Sequence, residues 1–158
     1  MSQAEERPSR VPWPPIIYLA AIVIAVALSY TVPLPWLVEP TSDLLFAVGL
    51  VAIAGAIAIE VAAMRALKRA ETTILPTRAS AHLVTDGPFS FSRNPIYLGN
   101  TLFMIGIGLM AGAAWFIVLA VVAAFLTQKL AIEREEEHLA TRFGKRYRDY
   151  RKRVRRWI

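Results

Sequence analysis

Four stretches of the chain, Trp13 to Trp36, Leu44 to Met64, Ile96 to Met110 and Ala113 to Leu130, contain a single carboxylate between them, Glu60. No other feature constrains the fold as strongly. A helix needs about 20 apolar residues to cross the ~30 Å hydrocarbon core of a bilayer. Inside that core each backbone N–H and C=O must be bonded within the protein, which favours helices. Hydrophobic residues fill 56% of the 158 positions and the mean hydropathy is +0.45, too apolar for an ordinary soluble domain. The expected fold is an all-α integral membrane protein, one domain over residues 1–158. It has four transmembrane helices, at about 13–36, 44–64, 96–110 and 113–130, and a C-terminal cytoplasmic amphipathic helical segment.

Details within the spans refine that picture. On one continuous helix Trp13 and Trp36 would stand about 35 Å apart, the spacing of two interfacial anchors. Gly49, Ala52, Gly55, Ala56 and Ala63 allow the second span to pack closely against a neighbour. The link around Gly112 is so short that the third and fourth spans must form an antiparallel hairpin. Ala25-Val26-Ala27 resembles a signal-peptide cleavage site, but the apolar run continues past it, so an uncleaved span is expected. Gly106-Ile107-Gly108 lies inside a span with no strand before it and reads as a helix-packing feature rather than a nucleotide loop.

Charge sets the orientation. All 18 Lys and Arg fall before the first span, between the second and third, or in and after the fourth span's last turn, and the opposite loops contain none. The positive-inside rule then puts both termini and the Arg65–Arg93 connection in the cytoplasm, with a bacterial inner membrane as the expected location. A formal net charge of +6 beside membrane spans points to anionic lipids as partners, not to nucleic acid. The chain has no cysteine and only His82 and His138. Disulfides, thiolate catalysis, iron–sulfur clusters and cysteine-ligated zinc are excluded, and no metal site is expected.

Two further patterns carry chemistry. Leu139, Phe143, Tyr147, Tyr150, Val154 and Trp157 recur at spacings of three and four, one apolar stripe if a helix runs on through Gly144. A basic amphipathic helix on an anionic surface explains that stripe. It does not explain Glu133, Glu135, Glu136 and Glu137, an acidic run placed where the fourth span leaves the bilayer. The second pattern is Ser92-Arg93-Asn94-Pro95. Proline is tolerated at a first helical position, so this reads as a helix start. Arg93, Tyr97, Asn100, Thr101 and Met104 then share a face that descends into the membrane. Polar groups facing lipid are costly, so the face should look onto other helices or a cavity. Glu60 is expected either to line that cavity or to pair with a base such as Arg65.

The segments LVTDGPFSFSRNPIYLG, Leu83 to Gly99, and EEHLATRFGKRYRDY, Glu136 to Tyr150, resemble the paired signature of a membrane methyltransferase family. That family includes isoprenylcysteine carboxyl methyltransferase and bacterial phospholipid N-methyltransferases. The likeness covers about half the chain, in the right order around the hairpin; the first two spans match only as hydrophobic helices. Asn94 stands where the eukaryotic carboxyl methyltransferases have histidine, so a role needing an imidazole is not implied. The resemblance implies S-adenosyl-L-methionine as cofactor and a lipophilic methyl acceptor, and cofactor-binding elements at 80–99 and 131–157. By motif, the cofactor shell would comprise His82, Leu83, Val84, Phe89, Asn94, Pro95, Ile96, Tyr97 and Glu135. Arg93 and Glu136 are the candidate catalytic pair, and Arg134 is a candidate for holding the acceptor. The acceptor itself stays open among a phospholipid amine, an isoprenylcysteine-like carboxylate and a small thiol. Two other functions fit the spans alone: a sterol-type reductase using a nicotinamide dinucleotide, and a noncatalytic membrane partner protein.

Overall fold

The structure, a computed structural model, describes residues 11–36, 43–72 and 82–158. Arg7, Arg10 and Arg78 lie outside the described residues, as do the first two positions of the 80–99 element. Helix α1 is Trp13–Thr31 (19 residues). It opens on Pro14 and Pro15, where a missing N–H costs nothing. The expected span to Trp36 is corrected here: the helix stops at Thr31, because Val32 precedes Pro33 and takes φ −138°, ψ 69°. A residue before proline is pushed out of the helical region, and Pro35 follows at once. Helix α2, Asp43–Arg69 (27 residues), overruns the expected Leu44–Met64. Asp43 in its first turn and Lys68 and Arg69 in its last complement the helix dipole.

Helix α3, Pro95–Ala111 (17 residues), ends on Gly112 at φ 62°, ψ 29°, a left-handed cap that glycine supplies without strain. Helix α4, Ala114–Thr127, follows directly and closes the expected hairpin. The rod does not end there. A π-helical turn, Gln128–Ile132, leads without a break into α5, Glu133–Phe143. The apolar stripe beyond it does not ride on one helix, as continuity through Gly144 required. Gly144 takes φ 52°, ψ −120°, and a separate helix α6, Lys145–Arg153, starts in a new direction. Tyr147, Tyr150 and Val154 therefore gather with Leu83, Leu139, Ala140 and Phe143 in a small second core.

Among the described residues all regular structure is helical. Helices α1 and α2 and the continuous 114–143 rod are long and apolar enough to cross a membrane, while α3 is shorter. The first four helices run alternately up and down. Tyr18 near the start of α1 reaches Thr101 near the start of α3, and at the far end Trp115 Nε1 donates to the Val32 carbonyl at 2.7 Å. Ile17, Tyr18, Ala21 and Ala25 of α1 pack on Met104 of α3 and on Phe116, Ala120 and Ala123 of α4. On the other side α2 lies so close to α3 that a Cβ on Gly106 would sit 2.8 Å from the Gly49 carbonyl oxygen. The expected packing role of Gly106 is met. Leu19, Val23, Val51, Val121 and Phe125 remain exposed around the outside, an apolar belt of the kind that lipid covers. Every described Lys and Arg lies at the end of the bundle that carries the start of α3.

Candidate functional site

At that cationic end, Gly87 to Asn94 leads into α3. A 3₁₀ turn, Gly87–Ser90, brings the chain round, and the next residues are clamped to the C-terminal segment. Arg93 N donates to the Arg155 carbonyl at 3.0 Å, and Asn94 Nδ2 donates to the Arg156 carbonyl at 3.0 Å. Asn94 occupies the N-cap position of α3 without capping it through its side chain. Its own N–H instead donates to Ser92 Oγ at 3.1 Å.

Three side chains form the centre of this end. Glu136 accepts two hydrogen bonds from Arg156, Nε at 2.9 Å and Nη2 at 2.8 Å, and pairs with Arg93 Nη2 at 3.2 Å. The Arg156 fork is the bidentate geometry that makes arginine–carboxylate pairs strong. The side chains of Arg93 and Glu136 are 10% and 9% exposed, and that of Arg156 is 30% exposed. Arg93 Nη1 also donates to Tyr147 Oη at 3.4 Å, while its Nε is buried without a partner. Burial, with the Glu136 charge adding and Arg93 offsetting, pushes the Tyr147 hydroxyl up to about 12. Burial raises Tyr150 in the same way. Hydrogen bonding to Glu136 holds Arg156 above the ordinary guanidinium value.

Glu135 is placed differently. Its carboxylate accepts the Tyr97 hydroxyl at 2.8 Å. The Tyr97 carbonyl in turn accepts Tyr18 Oη at 3.1 Å and Thr101 Oγ1 at 2.9 Å, and Tyr18 Oη lies 2.6 Å from Thr101 Oγ1. Four of the five residues expected on the polar face of α3 look inward: Arg93 and Tyr97 to α5, Thr101 to α1, and Met104 into the core at 1% exposure; Asn100 is half-buried. The π turn decides which acid faces α3. In an unbroken α-helix the position one heptad beyond buried Thr127 would be Arg134. The wider turn shifts the register by one, so Glu135 and Glu136 take the inner face and Arg134 is exposed.

The remaining candidates lie apart from this centre. Leu83 packs on the second core, Val84 is buried, and Phe89 lends its carbonyl to Tyr150 Oη at 2.7 Å. With Thr85, Arg146, Asp149, Tyr150 and Arg153, Leu83 lines an open pocket of about 260 Å³. Pro95 is buried and Ile96 half-buried at the start of α3, whereas His82 is exposed and its backbone N–H donates to Thr72 Oγ1 at 3.5 Å. Arg93, Asn94, Tyr97, Glu135 and Glu136 are brought together; Leu83 and Phe89 form an adjoining group through Tyr147 and Tyr150; His82 and Arg134 join neither. Sequence reasoning missed Arg156 and Tyr18. Arg156 is one base in a run of bases and carried no mark. Tyr18 did carry one, a hydroxyl deep in an otherwise apolar span.

The phospholipid methyltransferase family matches residues 44–146, from α2 to the first turn of α6. That range includes the whole first motif and most of the second. The chain is also 37% identical over 79 residues to the nickel-cobalt-cadmium resistance protein NccN of Alcaligenes xylosoxydans xylosoxydans. That alignment covers 49% of this chain and 36% of NccN, so only about a third of that relative is represented. Among the described residues no group of three or more His, Asp or Glu is placed to hold a metal ion. The acid, arginine and tyrosine cluster at the mouth of α3 lies within the matched range except for Tyr18, Tyr147 and Arg156, and the chain belongs to the phospholipid methyltransferase family.

Proposed function

We propose that this integral membrane protein transfers a methyl group from S-adenosyl-L-methionine to a lipophilic acceptor at the cytoplasmic membrane face. The observation that carries the reading is the joining of the two motifs. Tyr97 holds Glu135 while Arg93 and Arg156 hold Glu136, so residues about forty positions apart converge on one helix mouth. The donor set suits the cofactor. Glu135 receives one hydrogen bond, from Tyr97, and a carboxylate can accept about three more, enough for a ribose diol or an ammonium. Glu136 is already engaged by two guanidinium groups and acts as the tie that fixes α5 against α3. When bound, S-adenosylmethionine supplies an electrophilic methyl group on a sulfonium. The chain's own part is to position and to exclude water, since in-line displacement needs alignment and a dry site more than covalent help. Phe89 offers an aromatic face for adenine, and the N-terminal N–H groups of α3 suit a carboxylate. The exposed Arg134 is the base available for an anionic headgroup, while Arg93 is held by Glu136.

In this reading α3 is the fourth membrane element. Its 17 residues make about 25 Å of helix, less than the ~30 Å core, so its mouth sits sunk at headgroup level. The basic end faces the cytoplasm of a bacterial inner membrane, and α6 rests over anionic lipids. Calorimetric titration of the detergent-solubilised chain tests the cofactor, with S-adenosylmethionine, its demethylated product and reduced nicotinamide dinucleotides as ligands. Heat with the first two alone is expected. Heat with the nicotinamide alone would move the chain to reductase chemistry, and folded protein silent to all three would make it a noncatalytic partner.

A further inference from the structure

Helix α1 lies before the range that the family matches, yet one of its side chains reaches the mouth of α3. Ser29 and Thr31 turn their hydroxyls back onto their own helix, to the carbonyls of Ala25 and Ala27. Tyr18 does not. It is 5% exposed, and its Oη stands 3.1 Å from the Tyr97 carbonyl oxygen and 2.6 Å from Thr101 Oγ1, both on α3. The next polar group beside that hydroxyl is Thr127 of α4, fully buried and with no partner of its own at hydrogen-bond distance. From α2, Glu60 meets α3 at Gly99, which leaves room for its side chain. Glu60 joins no ion pair among the described residues, so the pairing with Arg65 is not made.

Phenylalanine at position 18 would fill nearly the same space without burying a hydroxyl, so packing alone does not account for the tyrosine. What the hydroxyl touches is the root of both halves of the site. Tyr97 carries the phenol that holds Glu135 at 2.8 Å, and its carbonyl is the atom that Tyr18 reaches. Thr127 is the last residue of α4, and the π turn that starts at Gln128 sets which acid of α5 faces α3. The C-terminal segment already holds the start of α3 from the polar side, through Asn94; Tyr18 holds it from within the bundle. We propose that Tyr18 is a positioning residue of the cofactor site: its hydroxyl sets the first turns of α3 against the end of α4, in the register where Tyr97 meets Glu135. No hydrogen bond joins Tyr18 to Glu135, so its influence passes through Tyr97. The inference rests on the methyl-transfer reading for what the site binds, and it extends that site to a helix that neither motif contains.

The full chain in mild detergent provides the test, with Tyr18→Phe, Tyr97→Phe and the double variant. One measurement needs no cofactor: labelling of Glu135 by a water-soluble carbodiimide, read by mass spectrometry, with exposed Glu137 as the internal reference. Tyr18→Phe should raise labelling of Glu135 severalfold and leave Glu137 unchanged. In calorimetry the same variant should bind S-adenosylmethionine about tenfold more weakly, as when one hydrogen bond to a charged group is misaligned. Its helix content should stay at the wild-type level. In the Tyr97→Phe background no phenol is left to position, and Tyr18→Phe should then change the affinity by less than about twofold. A merely structural tyrosine would weaken binding equally in both backgrounds. Tyr18→4-aminophenylalanine keeps a donor at the same place and should bind and label as the wild type does. Unchanged Glu135 labelling in Tyr18→Phe, equal weakening in both backgrounds, or a 4-aminophenylalanine variant no better than Tyr18→Phe overturns the proposal. Loss of the fold in Tyr18→Phe makes the hydroxyl a requirement of the bundle and also overturns it. A wild type that binds no S-adenosylmethionine counts against the methyl-transfer reading alone, because the labelling result stands without the cofactor.

Discussion

Adjacent glutamates have different surroundings at the mouth of α3, and the difference sets what each substitution does. Glu136 lies between two guanidinium groups with its side chain 9% exposed. Removing one partner of a buried ion pair costs about 3–5 kcal/mol, because a buried charge is left unpaired. Glu136→Gln should therefore lower stability by about 3 kcal/mol in a denaturant titration in mild detergent. Glu135→Gln should leave stability nearly intact and weaken S-adenosylmethionine binding by about 1.5–3 kcal/mol, the range for hydrogen bonds to a charged group. Exposed Glu137→Gln is the control and should change neither. Tyr147 adds a pH dependence. Its hydroxyl is pushed from 10.0 in free tyrosine up to about 12 in the fold. The folded value lies above the unfolded one, so the stability linked to it is complete below pH 10 and is lost as pH rises through about 12. Denaturation midpoints measured across that window should fall less steeply in Tyr147→Phe than in the wild type.

At the scale of the element, the π turn Gln128–Ile132 joins a membrane helix to a polar one and sets the phase of everything after it. Such turns inside α-helices often mark functional places. Deleting Lys129, an exposed residue within the turn, would return the segment to α-helix and rotate α5 by about 100° about its axis. Tyr97 would lose Glu135 and Arg93 would lose Glu136. The expected result is helix content by circular dichroism close to wild type, with S-adenosylmethionine binding abolished. Binding at wild-type affinity in the deletion variant would show that the register of α5 does not matter. The break at Gly144 acts in the same way on α6. Its positive φ turns one apolar stripe into a folded pair of helices whose tyrosines face back toward Phe89 and Arg93.

For the whole molecule, the segregation of charge predicts which end faces which compartment, and the natural absence of cysteine makes that easy to measure. Single cysteines at Ser90, on the basic end, and at Thr31, on the opposite end, both replace exposed residues. In intact bacterial cells a membrane-impermeant maleimide should label Thr31→Cys and spare Ser90→Cys, and lysis should expose the second. The reverse pattern would invert the topology and put the site on the wrong side for a cytosolic cofactor.

Much of this protein could be read along the chain, because the bilayer imposes a one-dimensional rule: long apolar runs must satisfy their own backbone and become helices. The helical runs, the α3–α4 hairpin at Gly112, the helix start at Pro95 and the gathering of bases at one end all follow from residue order and short-range chemistry. Proline chemistry was legible too, yet the pull of the apolar run to Trp36 hid the stop that Pro33 imposes on α1. What only the tertiary structure decided depends on helix phase and on contacts between distant residues. Which of Glu135 and Glu136 is tied off turns on a single extra residue in the π turn, which no composition reveals. Arg156 became the partner of Glu136, twenty positions away, because Gly144 folds the chain back. Tyr18 reached Thr101 across 83 positions, a contact set by how α1 lies on α3 and by nothing local to either residue.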